Sequence, residues 1–182
     1  MVENVLRLQL RDETSGVHEA LHRHPEFIAL QAGQLDTFGQ YALMSRIGAF
    51  YAALDPKMTR AAHLAEDIGY AYRPRSPLFP EVSPRSVSLP QIDTLPAFVG
   101  AAYVVDGAVL GGRMIAGKQA AHVRHAYWDW CIRNGPTVWR RTLALIAGAN
   151  LSDPERQEAI GTAHSVFEAF AVALDQATTE PA

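Results

Sequence analysis

Cysteine is nearly absent from this chain: among 182 residues only Cys131 is present. One thiol closes no intramolecular disulfide, which excludes a small scaffold stapled by disulfides. A basic segment followed by an apolar one is also missing at the start, which reads Met1-Val2-Glu3-Asn4, so no secretory signal is expected. The longest apolar stretch, from Ala97 to Val109, is interrupted by glycine and by Asp106. It falls short of the roughly 20 apolar residues of a membrane span. No membrane insertion is therefore expected, and the cytoplasm is the expected compartment. An excess of positive charge is lacking too, with 16 Lys and Arg against 19 Asp and Glu and a net charge of −3. That argues against nucleic acid as a partner, because such binding draws on neutralised phosphates. Neither strand-like alternation nor an internal repeat is found, which leaves an all-α fold.

What is present is the composition of one packed domain, 48% hydrophobic and 19% charged, values that exclude a disordered chain. A single domain over residues 1–182 is expected, with 176–182 as a frayed tail. Leu10, Thr14, Val17 and Leu21 form one stripe of a helix from about Glu3 to Arg23, and Pro25 supplies the stop. Asp36 caps a second helix to Leu54 that carries Phe38, Tyr41, Ile47, Phe50 and Tyr51, and Asp55-Pro56 closes it and opens a third to Ile68. Residues 72–96 hold Pro74, Pro77, Pro80, Pro84, Pro90 and Pro96, too many missing N–H groups for a long helix or a central strand. They make an ordered connector or a mobile loop. Leu95 to Gln119 reads as a helix bent by Gly100, Gly107, Gly111, Gly112 and Gly117. A further helix ends near Asn134, and Gly135-Pro136 marks a stop and restart before a helix over Thr137 to Ala147. Last comes the capping box Ser152-Asp153-Pro154-Glu155, followed by Ile160, Ala163, Phe167, Ala171 and Leu174 on one face.

The string His18-Glu19-Ala20-Leu21-His22 matches H-E-x-x-H, in which two histidines one turn apart hold zinc. Its context opposes a zinc protease: no third ligand follows at the required spacing, and no sheet precedes it to hold a peptide. A diiron site needs Glu-x-x-His on two helices, and Glu19 to His22 is the only such string. A thiaminase-like enzyme needs a reactive thiol, whereas Cys131 stands among Tyr127, Trp128 and Trp130 and is expected to be buried. His18 has a plain reading, a histidine satisfied on an amphipathic helix, and a functional one. Seven residues before it stands Arg11, with Thr14 between, nearly on the same face and about 10 Å away along the axis. A neutral imidazole ligating iron and a cation pairing with a carboxylate suit a flat ligand such as haem with its propionates. Gly107 and Gly111 share a helical face. A face without side chains admits either a planar ligand or a neighbouring helix, and the spacing alone leaves both open.

Taken together, Leu10-Arg11-Asp12-Glu13-Thr14 with His18, and Tyr103-Val104-Val105-Asp106-Gly107 with Leu110-Gly111-Gly112, resemble the haem oxygenase family and its bacterial, biliverdin-producing branch. Tyr41, Phe50-Tyr51, His63-Leu64, Asp67-Ile68, Trp139 and Phe167 agree in order. The resemblance implies a helical bundle with His18 as axial ligand and a kinked distal helix in which Gly107, Gly111 and Gly112 cover the other haem face. It also implies Arg11 and Lys118 as propionate partners, and Thr14 and Phe167 beside the haem. Haem is then cofactor and substrate, opened with O₂ and electrons from a ferredoxin-type or other reductase to biliverdin, Fe²⁺ and CO. The resemblance also implies a biliverdin-accepting photoreceptor as a downstream partner. Three departures stand out: Ala108 where the animal enzymes have aspartate, His22 where a glutamate is common, and Arg113 after the glycine pair. They keep a second function open, a haem-binding sensor or carrier with little or no turnover.

Overall fold

The computed structural model describes residues 5–80, 82, 86–117 and 125–176, and among them helices are the only regular elements. They are α1 (Val5–Glu13), α2 (Ser15–His22), α3 (Pro25–Gln31), α4 (Thr37–Ala61), α5 (Leu95–Ala116), α6 (Ala126–Gly148) and α7 (Asp153–Asp175). Two 3₁₀ segments, Ala62–Ile68 and Ser76–Leu78, lie between α4 and α5. The expected all-α class holds, and several expected boundaries do not.

The first expected helix is two. Thr14 sits at φ −90° and ψ 1° between α1 and α2, and its hydroxyl donates to the Leu10 carbonyl at 2.6 Å. Such back-bonding by threonine bends a helix. α2 ends at His22 with Arg23 as its cap, just ahead of Pro25 as expected, and Pro25 also opens α3 at its first turn, with the His24 ring accepting from the Glu26 N–H. That is the position where proline loses no helical hydrogen bond. Pro56 and Pro136 were expected to divide helices, and both lie inside continuous ones. Burial outweighs the roughly 3 kcal/mol local penalty of proline: Leu54, Met58 and Ala61 flank Pro56 in the core, and Cys131 and Val138 flank an exposed Pro136. The third expected helix is helical throughout but not separate: as far as Ala61 it is the end of α4, and then it is the 3₁₀ segment Ala62–Ile68, which stops at Gly69 with φ +73°.

α5 is the central element and packs most extensively on α6 and α7. It runs unbroken across Gly100, Gly107, Gly111 and Gly112, starting from the Thr94 cap, so the expected bend is not a break. By length and composition α5 is apolar enough to cross a membrane, which corrects the expectation that no segment is, but 67% of its apolar window is buried inside the fold. α7 begins with the expected capping box, in which Glu155 accepts from both the N–H and the hydroxyl of Ser152. The described part of the proline-rich connector is packed: Phe79 is buried, and a Cβ on Gly48 of α4 would lie 2.8 Å from it. Lys118 and residues 177–182 lie outside the described residues.

Candidate functional site

A cleft of about 330 Å³ opens among α2, α4, α5, α6 and α7, within the size range of small-molecule sites. Its walls are mostly apolar and aromatic, with Ile47 and Phe50 from α4, Leu110 and Ile115 from α5, Trp139 from α6 and Phe167 from α7. Because the spacing of the two glycines follows the helical period, Gly107 and Gly111 both reach this wall. A Cβ on Gly107 would come no nearer than 3.7 Å to Trp139, and one on Gly111 would meet no heavy atom within 4 Å. The helix-packing alternative is thereby removed for these two positions. Gly112 differs: its missing side chain makes room for Cys131 Sγ, 2.8 Å from where a Cβ would be, and for the Trp128 ring. Gly112 touches the cleft, yet its lack of a side chain serves helix packing.

His18 comes to the cleft from α2, a helix packed on α7 and its chain neighbours. Its ring lies edge-on to Phe167 with centroids 5.9 Å apart, and edge-on to His22 at 4.5 Å. The two Nε2 atoms are 3.3 Å apart. Partial loss of hydration lowers the His18 pKa below the usual 6.5, His22 lowers it further, and Glu19 opposes. A lowered value leaves the imidazole neutral at pH 7, with a lone pair available to a metal. Glu19 itself points elsewhere and pairs with Arg23 at 2.8 Å. No group of three metal-ligating side chains occurs among the described residues, which disposes of both the zinc-protease and the diiron patterns there.

Not every expected site residue joins this cleft. Thr14 is buried at the α1–α2 junction and does not line it. It lies one step back, where its hydroxyl partly offsets the upward shift that burial gives Tyr103, which does line it. Arg11 is exposed on α1 and pairs with Asp12 at 2.8 Å. The break at Thr14 removes the straight-rod argument that put it in phase with His18, although its charge acts on Tyr103 at the cleft edge. No family model matches the chain, and neither does a curated protein or a solved structure.

Two clusters escaped the sequence reading. Behind the glycine face, Asp106 pairs with the buried Arg75 and accepts from Tyr70 and Thr142 hydroxyls at 2.6 Å each. Arg75 is held charged by Asp106 against the opposing effect of burial, and its backbone N–H donates to Asp55 at 2.7 Å. The carboxylate thus ties α5 to α6, to the connector and to the segment after the 3₁₀ turn. One signal was legible: Asp106 is the only charge between Leu95 and Gly112, and a charge buried in an apolar helix needs a partner. At the cleft, the hydroxyls of Tyr51 and Tyr127 lie 3.0 Å apart. Burial raises both phenols above their usual range and pushes the neighbouring Cys131 thiol up to about 12. Cys131 is buried as expected, and a protonated thiol is a poor nucleophile.

Proposed function

We propose that this protein is a haem oxygenase, holding haem between α2 and α5 and opening it with O₂ and external electrons to biliverdin, Fe²⁺ and CO. The observation that carries the reading is the bare stripe of Gly107 and Gly111 on a cleft wall, open at Gly111 and with room for a Cβ beside Trp139 at Gly107, while His18 enters from a different helix. When bound, haem supplies the iron at which O₂ is reduced and the meso carbon that is oxidised. The chain's own residues do the rest. His18 Nε2, neutral at pH 7, gives an imidazole ligand, and to do so it must leave His22 Nε2. As the iron's ligand His18 would push less electron density onto it than a thiolate would, which would suit oxidation of the haem ring itself. The stripe lets backbone approach the ligand plane, and the apolar walls exclude water. Phe167 packs beside His18, whose ring meets it edge-on.

A second reading, a haem sensor or carrier with little turnover, has its own observation. Ala108 lines the cleft beside the glycine stripe and has no proton to give. Backbone carbonyls hold water without donating a proton, so protons must come along water from solvent. The deciding experiment is single turnover of the hemin complex with a ferredoxin-type or chemical reductant under O₂, with catalase present. The enzyme reading predicts CO and verdin absorption, faster or redirected in Ala108→Asp. Return to ferric haem without CO selects the sensor or carrier.

A further inference from the structure

His22 has no task in the proposed reaction, yet it is the nearest polar group to the nitrogen that the reaction needs. Its Nε2 stands 3.3 Å from the Nε2 of His18, one helical turn away. Two nitrogens, each about 2.05 Å from one ion and separated by a tetrahedral angle, lie about 3.3 Å from each other. Both residues lie on α2 one turn apart, so the helix keeps the two rings on one face before any ligand arrives. We propose that His18 and His22 form a two-imidazole site for a divalent ion of the zinc and copper class, and that this ion and haem compete for the His18 Nε2.

The chemistry of the donors selects the class. Imidazole nitrogen suits Zn²⁺, Cu²⁺ and Ni²⁺, and copper binds tightest in the general order of affinities. Calcium and magnesium, which take oxygen ligands, are excluded. Glu19 is engaged by Arg23 at 2.8 Å, and the described residues bring no third His, Cys, Asp or Glu to the pair. Water completes the coordination, which the open mouth of the cleft permits because both rings are exposed. His22 is free to turn its lone pair toward the shared point, whereas Phe167 restrains His18. Occupancy uses both lone pairs, so the ion leaves His18 none for iron. The competition rests on the haem reading, and the metal site does not.

The test uses the full hemin-free chain, Cu²⁺ as probe, and four proteins: wild type, His18→Ala, His22→Ala and the double variant. Electron paramagnetic resonance of the wild type is expected to show one Cu²⁺ with two nitrogen ligands, displaced by excess Zn²⁺. Loss of an outer-shell partner alone weakens metal binding about 10–100-fold, so each single variant should weaken Cu²⁺ at least about tenfold and show one nitrogen fewer. Wild-type affinity equal to that of the double variant, or two nitrogens persisting in His22→Ala, overturns the site. Hemin is then titrated into each protein with and without Zn²⁺. Zn²⁺ should weaken hemin binding to the wild type but not to His22→Ala, and equal hemin affinity with and without Zn²⁺ in the wild type refutes the shared nitrogen. Failure of hemin to bind metal-free protein removes the competition together with the haem reading, while the copper spectra still decide the metal site.

Discussion

At Gly100 a Cβ would stand 2.0 Å from the Ala159 carbonyl oxygen, whereas at Gly111 it would meet no heavy atom within 4 Å. The two positions lie about three turns apart on the same face of α5. At the first, glycine lets α7 press its backbone onto α5. At the second, the same absence of a side chain leaves the helix bare toward a cleft. The rear of α5 is different again, closed by the Asp106–Arg75 pair and its hydroxyl partners. Glycine in a helix therefore has no single meaning, and what stands opposite decides between packing and binding. A rigid, fully partnered rear surface is also what allows the front of the helix to remain unfilled.

The largest effect is expected on the closed rear. Asp106→Ala leaves the Arg75 guanidinium buried without its counter-charge, which should cost about 3–5 kcal/mol in denaturant unfolding. A loss below 1 kcal/mol would mean that the rear cluster does not hold α5. Next comes the closed end of the stripe. Gly100→Ala should destabilise by about 1–3 kcal/mol, because α7 must move to admit the methyl group. Gly111→Ala should go the other way, gaining about 0.5–1 kcal/mol in hemin-free protein from better helix propensity. Equal changes at the two glycines would erase the contrast on which the cleft reading stands.

The smallest effect is a titration. The His18 pKa is depressed first by partial loss of hydration and then by His22. In the folded protein a histidine with a lowered value stays neutral down to that value, while the unfolded chain takes up its proton near about 6.5, so its share of stability is present above about 6.5 and is lost as the pH falls through the folded value. NMR titration should place His18 below 6.5 in the wild type, and His22→Ala should raise it without restoring it fully. A wild-type value at or above 6.5 contradicts the description of the cleft mouth.

Much of this architecture was readable from local rules. The capping box at Ser152, the helix over α5 and the all-α class follow from spacing and caps. Helix boundaries at Pro56 and Pro136 were misread for one physical reason, that burial of neighbouring residues overrides a local proline penalty. At the site, His18, Gly107, Gly111 and Phe167 were reachable from helical phase and from the resemblance, and the cleft brings them together. Arg11 and Thr14 misled because phase was carried across a junction that the Thr14 hydroxyl bends. The Asp106–Arg75 pair spans 31 positions, a contact that no local pattern encodes.

The central claim, that the open stripe of α5 is one wall of a haem site with His18 at the other, is tested most directly by hemin titration followed in the visible spectrum. Wild type, His18→Ala and Gly111→Leu are compared, with circular dichroism to confirm the fold. The account predicts one hemin per chain with an imidazole-ligated spectrum, loss of that signature in His18→Ala, and weaker binding of hemin and of CO to its reduced form in Gly111→Leu. A folded wild-type protein that takes up no hemin, or a Gly111→Leu protein that binds hemin and CO as the wild type does, would contradict it.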